Sequence, residues 1–154
     1  MTIKIEFPDG QIIEATHLVI DYSGTIALNG KLLVGVTERL CEIAKQLKII
    51  VLTADTYGTA FENLKGMPCE IHKVSAGSEK AEFIQCVGAK NVIAIGNGQN
   101  DVAMIRAAAI GIAVIGPEGA SGNLLISAKV IVKDIFDALD LILNPLRLKA
   151  TLRA

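Results

Sequence analysis

The chain has 154 residues, a formal net charge of −1 and an apolar fraction of 51%. This length suits one domain that can bury a substantial core. The charge lacks the basic excess that binding to a nucleic acid backbone needs, so nucleic acid is not an expected partner. Tryptophan is absent and only 4% of the residues are aromatic. We therefore expect residues 1–154 to form a single domain with an aliphatic core, of the kind that covers a parallel sheet with helices.

The cysteines and the start of the chain indicate a cytoplasmic protein. Cys41, Cys69 and Cys86 are odd in number, widely spaced and match no zinc pattern. We interpret them as reduced core thiols. The first residues alternate between apolar and polar types, unlike a signal peptide, and every apolar run is shorter than a membrane span. No membrane partner is expected.

Two hairpins are predicted near the start of the chain. Apolar residues alternate with charged ones over 3–13 around a Pro-Asp-Gly turn, which predicts a β-hairpin at a sheet edge or against a neighbouring subunit. Asn29-Gly30 lies between two apolar stretches and predicts a second, tight hairpin. Because this second hairpin follows a strand that ends at Asp21, we expect it to form a small flap that restricts entry there.

The remainder of the chain alternates between strands and helices. Serine or threonine at the start of two helices, Thr37 and Ser78, predicts N-caps there. Residues 116–119 are interpreted as a turn after a strand, which could also border the crevice at the strand ends, and residues 149–154 as frayed. The predicted strands are 18–21, 48–52, 70–74, 91–95, 110–115 and 129–132, and the predicted helices are 37–47, 56–64, 78–87, 102–109 and 134–143. This alternation predicts an α/β fold: a three-layer, Rossmann-like parallel sheet with helices on both faces.

Polar residues follow three of the predicted strands. Asp21, Thr53 and Asn97 stand at strand ends, which meet at one edge of a parallel sheet. A carboxylate such as Asp21 can attack phosphorus, and Thr53 with loop N–H groups can hold phosphoryl oxygens. Lys80 can neutralise charge and Asp101 can ligate Mg²⁺. The pattern therefore favours a site for a phosphate and a divalent cation.

These residues resemble the motifs of the haloacid dehalogenase (HAD) superfamily of phosphotransferases, and most of all the phosphorylation domain of P-type ATPases. The segment that begins at Asp21 matches D-x-x-G-T. Thr53-Ala54-Asp55 is similar to the second motif of the ATPases, T-G-D, with alanine in place of glycine. Lys80 resembles the third-motif lysine, and residues 96–101 resemble the fourth motif, G-D-G-x-N-D. The motifs occur in the family's order.

The resemblance implies an Mg²⁺-dependent phosphohydrolase or phosphotransferase that forms an aspartyl phosphate on Asp21 and acts on a small phosphorylated molecule or activated phosphoryl donor. It implies three groups of site residues. The catalytic residues are Asp21, Ser23 and Lys80. The phosphate-binding residues are Gly24, Thr25, Thr53, Ala54, Lys80 and Asn100. The metal ligands are Asp21, Ser23, Asn97 and Asp101.

Besides Ala54, two positions depart from the family pattern in ways that affect the chemistry. Most phosphatases of the superfamily carry a second aspartate where this chain has Ser23, and that aspartate serves as general acid and base. A serine hydroxyl has no useful acid strength near neutral pH, so hydrolysis of poor leaving groups should be slow. P-type ATPases have threonine at this position and transfer phosphate from an activated donor. Asn97 replaces an aspartate, which removes one negative charge and should weaken Mg²⁺ binding.

The short distances between the motifs leave no room for a cap domain. Thr25 and Thr53 are separated only by the flap and one helix, and the segment from Thr53 to Lys80 is equally short. We therefore expect a capless member of the superfamily, whose site is covered by the flap or by another subunit. The apolar excess and the first hairpin favour a homo-oligomer.

A second class of function stays open. With Ser23 and Asn97 in place of two aspartates, the chain is also consistent with a catalytically weak or inactive HAD-like module that binds phosphate for regulation.

Overall fold

A computed structural model describes residues 1–54 and 58–153. The strands of this part of the chain are β1 (Ile3–Glu6), β2 (Ile12–Ala15), β3 (His17–Asp21), β4 (Ala27–Leu28), β5 (Lys31–Leu32), β6 (Lys48–Thr53), β7 (Glu70–Lys73), β8 (Val92–Gly96), β9 (Ile110–Val114) and β10 (Val130–Val132). Six of them form one sheet in the order β10-β9-β8-β3-β6-β7, and all neighbours in it are parallel. The predicted parallel sheet is confirmed, with β3 near its centre.

Helices cover both faces of the sheet. They are α1 (Val36–Ile43), α2 (Thr59–Asn63), α3 (Gly77–Val87), α4 (Val102–Ala107), α5 (Gly122–Ser127), α6 (Ile135–Leu143) and α7 (Pro145–Leu152). Buried side chains of α1, α2, α6 and α7 join one apolar cluster, and those of α3, α4 and α5 join the other. The fold is therefore the predicted three-layer, Rossmann-like arrangement. Among the described residues no helix is both long enough and apolar enough to cross a bilayer.

The strand β3 shows why this sequence forms a buried strand. Leu18 and Ile20 belong to the cluster on one face, whereas Val19 belongs to the cluster on the other. Side chains alternate between the faces of a strand, so a strand with helices on both sides needs a continuous apolar run. The run ends at Asp21, at the edge of the sheet.

Both predicted hairpins are present. The β1–β2 hairpin forms a sheet of its own and is not an edge of the central sheet. The apolar side chains on one of its faces, including Ile3 and Ile5, are buried in the cluster that also contains Leu148 of α7, whereas Ile12 is exposed. In the β4–β5 hairpin, Asn29 and Gly30 have φ angles of 52° and 80°. Two left-handed residues in a row are what a tight type I′ turn requires, which explains why Asn-Gly stands there.

The predicted N-caps are wrong. Gly35, with a φ of 98°, precedes α1, and Ala76 precedes α3, so both helices begin one residue earlier than Thr37 and Ser78 predicted. Neither cap residue makes a side-chain hydrogen bond. At α3, the Glu79 carboxylate reaches back and accepts a hydrogen bond from the backbone N–H just before the cap, at 3.1 Å. A glutamate in the first turn thus accepts a hydrogen bond from the segment that enters the helix, in place of the predicted serine cap.

The end of the chain also differs from the prediction. Residues 149–152, expected to fray, continue α7, because Leu148 is buried against the core and Lys149 pairs with Glu6 at 3.3 Å. The helix α5 was not predicted, and α4 ends at Ala107, two residues early. The predicted helix start at Thr56 lies outside the described residues.

The cysteines are free but are not core residues. Cys41 and Cys86 are exposed and Cys69 is half-buried. Cys41 and Cys86 lie on the solvent-facing sides of α1 and α3, where the helical spacing places neighbours such as Leu40 and Ile84 in the core instead. The prediction of core thiols is therefore wrong for Cys41 and Cys86, whereas Cys69 packs against the apolar cluster on the α1 side of the sheet.

Candidate active site

The ends of three central strands bring the predicted site residues together. Asp21 is the last residue of β3 and pairs in register with Leu52, so Thr53 follows at the same edge. On the other side of β3, Ile20 pairs with Ile95, so that Asn97 follows one residue beyond β8. Parallel register thus places Asp21, Thr53 and Asn97 at one edge of the sheet, as the sequence predicts.

A buried lysine joins two carboxylates at this edge. Lys80 Nζ lies 2.8 Å from Asp21 Oδ1 and 2.7 Å from Asp101 Oδ1. Lys80 belongs to the first turn of α3, and its exposed fraction is 2%, against 8% for Asp21 and 0% for Asp101. The three groups together carry a net charge of −1 when all are ionised. One negative charge of this buried cluster is therefore left without a counter-charge.

The pKa values of this cluster reflect that imbalance. Burial and the nearby Asp101 carboxylate raise the pKa of Asp21 to about 7, although the Lys80 ammonium opposes the shift. Burial acts to lower the pKa of Lys80, but the charges of Asp21 and Asp101 outweigh it and the pKa is raised. Lys80 therefore stays charged at neutral pH. The Asp21 carboxylate would be favoured in its ionised form by a further positive charge nearby.

Asp101 organises the loop that follows β8. Its Oδ2 accepts hydrogen bonds from the backbone N–H groups of Asn97 and Gly98, both at 3.1 Å, while its Oδ1 accepts from Lys80. A β-carbon at Gly96 would lie 2.6 Å from the Asp101 carboxyl group, so only glycine leaves room for this folded-back carboxylate. The buried Asp101 carboxylate thus positions both Lys80 and the loop. Its predicted role as a metal ligand stays a prediction.

Thr25 and Asn97 contact the Asp21 carboxylate region through longer hydrogen-bond distances. The Thr25 hydroxyl lies 3.4 Å from Asp21 Oδ2 and 3.3 Å from Asn97 Oδ1. One proton cannot serve both acceptors at once, and both distances are long for a hydroxyl donor. The Asn97 amide nitrogen donates to the carbonyl of Gly119 at 3.1 Å, which directs the amide oxygen towards Thr25. Asp21 Oδ2 is therefore the less engaged of the two carboxylate oxygens.

A cavity of about 580 Å³ opens above these residues. Of the predicted site residues, Gly24, Thr25 and Asp101 are not part of its lining. The predicted site residues that do line it are Asp21, Ser23, Thr53, Ala54, Lys80, Asn97 and Asn100. The second-motif residue Asp55 lies outside the described residues. The structure therefore brings the described parts of all four motifs to one cavity.

The flap forms part of the cavity wall. Asn29 and Gly30, the two residues of its turn, line the cavity. The Tyr22 hydroxyl donates to the Gly30 carbonyl at 3.0 Å, and the Asn63 amide of α2 donates both to the Tyr22 hydroxyl and to the Gly30 carbonyl. Tyr22 is buried and directly follows Asp21. The predicted flap is thus fastened by the residue next to the candidate nucleophile.

Apart from the flap, three residues that line the cavity are not among the predicted site residues: Thr59, Gly98 and Glu118. Glu118 lies in the loop between β9 and α5, which the sequence suggested to be a turn that could border the crevice. The signal that could have found it is topological, since β9 is the neighbour of β8 and its following loop lies at the same edge.

The residues present fit a divalent cation of the magnesium type. Among residues 1–54 and 58–153, no three His, Cys, Asp or Glu side chains are grouped closely enough to form a metal centre by themselves. Mg²⁺ commonly takes only one or two carboxylates and completes its octahedron with waters and substrate phosphate oxygens. Asp21 and the amide oxygen of Asn97 are such donors, and the unbalanced negative charge next to them favours a cation.

The fold and the residues at its edge define a three-layer α/β protein with a polar site at the carboxyl ends of its parallel strands. Residues 16–135 match the sequence profile of the haloacid dehalogenase-like hydrolases, and the chain belongs to this family.

Similar proteins differ in how much of the chain they share. An uncharacterised protein of Methanocaldococcus jannaschii is 56% identical over 64 residues, which is 42% of this chain and 69% of that protein. The 3-deoxy-D-manno-octulosonate 8-phosphate phosphatase of Moraxella catarrhalis, solved with a magnesium ion, a phosphate ion and KDO, superposes with a TM-score of 0.67 at 14% identity, over 88% of this chain and 90% of that one. A zinc-transporting PIB-type ATPase superposes with a TM-score of 0.65 at 20% identity, over 77% of this chain and 20% of that one. Both structural likenesses concern the fold.

Proposed function

We propose that the protein is an Mg²⁺-dependent phosphohydrolase or phosphotransferase that forms an aspartyl phosphate on Asp21. The observation that carries this proposal is the buried Lys80 ammonium, bonded to Asp21 Oδ1 and facing the cavity. It fixes the Asp21 carboxylate and leaves Oδ2 with only the long contact to Thr25. An oriented carboxylate with one oxygen available is suited to attack a phosphorus atom.

The reaction has two steps. In the first, an Asp21 oxygen forms a bond to phosphorus while the bond from phosphorus to the leaving group breaks. In the second, a water oxygen bonds to phosphorus, the bond to Asp21 breaks, and inorganic phosphate leaves. Lys80 offsets charge on the phosphoryl oxygens, and Gly24, Thr25, Thr53, Ala54 and Asn100 are proposed to hold them.

The leaving group must be a good one. Ser23 is exposed at the cavity, where it offers a hydroxyl and no acid. The departing oxygen therefore receives no proton from this position, so acyl phosphates and nucleoside diphosphate leaving groups should react faster than alkyl phosphates.

A magnesium ion fits the proposal. Asp21, Ser23, Asn97 and Asp101 would hold it, and its charge would neutralise the phosphoryl oxygens as they approach Asp21. Because the pKa of Asp21 is raised to about 7 by burial and by Asp101, a cation would also keep this carboxylate ionised and nucleophilic at neutral pH.

We further propose a small phosphorylated substrate, a cytoplasmic location and a homo-oligomer. The cavity volume of about 580 Å³ suits a small molecule. One argument for the homo-oligomer is weaker in the structure, because the apolar side of the first hairpin is buried within its own chain.

The experiment that tests the proposal is trapping of the phosphoenzyme. Protein incubated with Mg²⁺ and ³²P-labelled acetyl phosphate should retain label after acid quench, and hydroxylamine should release it. Asp21→Asn should retain none, whereas Asp137→Asn, a matched change on α6 away from the cavity, should label like wild type. Absence of label in the wild type, or label that persists in Asp21→Asn, would overturn the proposal.

The second candidate is a regulatory module that binds phosphate without turnover. The two observations that favour it are the hydroxyl of Ser23 at the cavity and the uncharged amide of Asn97. A wild-type protein that binds phosphate in the presence of Mg²⁺ and yet forms no phosphoenzyme would identify this function.

A further inference from the structure

We infer that Glu118 supplies to the divalent cation the negative charge that Asn97 lacks, either as a direct ligand or through a bound water. This inference rests on the magnesium site of the proposed function. It adds a residue from a loop that contains none of the four motifs.

The position of Glu118 supports the inference. A β-carbon added at Gly24 would lie 2.3 Å from Glu118 Oε2 and 2.7 Å from Asn97 Nδ2, so the carboxylate and the amide meet above the same α-carbon. Gly24 lies three residues after Asp21, in the loop that opens the site. Glu118, Asn97 and Asp21 all line the same cavity.

Several contacts hold the Glu118 loop in this place. The Asn97 amide donates to the Gly119 carbonyl at 3.1 Å, and the backbone carbonyl of Asn97 accepts from the Ser121 N–H at 2.9 Å. A β-carbon at Gly116 would lie 3.3 Å from the Gly24 carbonyl, so the two loops touch directly. The position of Glu118 is therefore tied to Asn97 itself, the residue whose missing charge it replaces.

The Glu118 carboxylate is also available for a ligand. Within the described ranges it accepts no hydrogen bond and forms no ion pair, and its side chain is exposed. An unpaired carboxylate beside a phosphate site would repel the substrate, and the neighbouring cluster of Asp21, Asp101 and Lys80 adds one excess negative charge when all three groups are ionised. A divalent cation between Glu118 and Asp21 removes this conflict.

The test measures cation binding without substrate. Mn²⁺ titrations followed by the electron paramagnetic resonance of free Mn²⁺ are performed on the wild type, Glu118→Gln and Glu82→Gln. Glu82 is exposed on α3 and does not line the cavity, so it provides the same change of net charge elsewhere. We expect Glu118→Gln to weaken Mn²⁺ binding by about tenfold and Glu82→Gln to leave it nearly unchanged.

A second variant tests whether Glu118 replaces the missing aspartate. Adding Asn97→Asp to Glu118→Gln should return the Mn²⁺ affinity to near the wild-type value. The inference is overturned if Glu118→Gln binds Mn²⁺ as Glu82→Gln does, or if the wild type binds none. Because no substrate is present, these outcomes are independent of phosphoenzyme formation: a protein that binds Mn²⁺ through Glu118 but never labels Asp21 would retain this inference and lose the proposed function.

Discussion

Removal of the buried lysine should destabilise the protein in a pH-dependent way. Lys80→Met keeps most of the side-chain volume but leaves Asp21 and Asp101 facing each other without the ammonium that lies 2.8 Å and 2.7 Å from them. Breaking a buried ion pair by removing one partner typically costs about 3–5 kcal/mol, because the remaining charge is buried without compensation. For a domain of this size, such a loss lowers the melting temperature by about 10 °C.

The pKa of Asp21 determines how the loss of stability in Lys80→Met depends on pH. The pKa of Asp21 is raised to about 7 in the folded wild type by burial and by Asp101, from an ordinary value of 3.8, and Lys80 holds it down. Without Lys80 this pKa rises further. The cost of the ionised carboxylate is therefore full at high pH and declines as the pH falls and the folded variant takes up protons. The deficit relative to the wild type should be largest at pH 8 and clearly smaller at pH 5.5.

The assay is urea unfolding at both pH values, in EDTA so that no cation replaces the lysine. Lys133→Met is the matched control, because Lys133 pairs with Asp137 at 3.2 Å on the surface with 79% of its side chain exposed, and its loss should change little. A Lys80→Met variant as stable as the wild type at pH 8 would refute the reasoning, as would a deficit that stays constant down to pH 5.5.

Three further predictions concern the same site. Asp21→Asn should be more stable than the wild type in EDTA at pH 8, because the ionised Asp21 carboxylate destabilises the folded state there. Urea unfolding should show that this gain in stability vanishes towards pH 4. A gain that persists at pH 4 contradicts the raised pKa of Asp21. Gly24→Ala should lose at least about 1 kcal/mol of unfolding free energy, because the φ of Gly24 is 77° and the methyl group would lie 2.3 Å from Glu118 Oε2; an unchanged urea midpoint would show that the loop can yield. Tyr22→Phe should lose about 1 kcal/mol of unfolding free energy and be cut faster by trypsin after Lys31, since the flap turn loses its buried hydroxyl donor; equal cleavage rates would show that this hydrogen bond does not hold the flap.

The central part of the fold could be predicted from the sequence because its signals are local. The apolar run that ends at Asp21 predicts a buried strand, and Asn29-Gly30 predicts the turn of the flap. The order of the motifs then places Thr53, Lys80 and Asn97 at one edge, since parallel strands must present the same ends together. Local pattern and topology agree here, so most of the predicted site residues that the structure describes line one cavity.

The differences arise where tertiary contacts override local signals. Thr37 and Ser78 are good capping residues, yet α1 begins after the left-handed Gly35, and α3 begins at Gly77, where a β-carbon would lie 2.6 Å from the Asn100 carbonyl. Only a glycine allows that close approach. The first residue of α3 is therefore set by its packing against the loop after β8. Helix propensities describe single residues and do not include such a contact.

Glu118 was not predicted as a site residue for a related reason. Its surrounding sequence, Gly-Pro-Glu-Gly, is typical of a turn, and no spacing rule connects it with Asp21 or Asn97. Its place in the cavity depends on β9 being the neighbour of β8 and on the hydrogen bond between Asn97 and Gly119. Such a residue can be assigned to the site only when the order of the strands is known.

The order of the strands also bears on how durable the cavity is. Asp21, Thr53 and Asn97 lie at the ends of β3, β6 and β8, which occupy the interior of the sheet, whereas β10 and β7 form its margins. Backbone amides in the interior of a sheet exchange their hydrogens only when the whole domain opens, while marginal strands open on their own at lower cost. We therefore expect these three residues to stay together when a marginal strand opens locally, and to separate only when the domain unfolds.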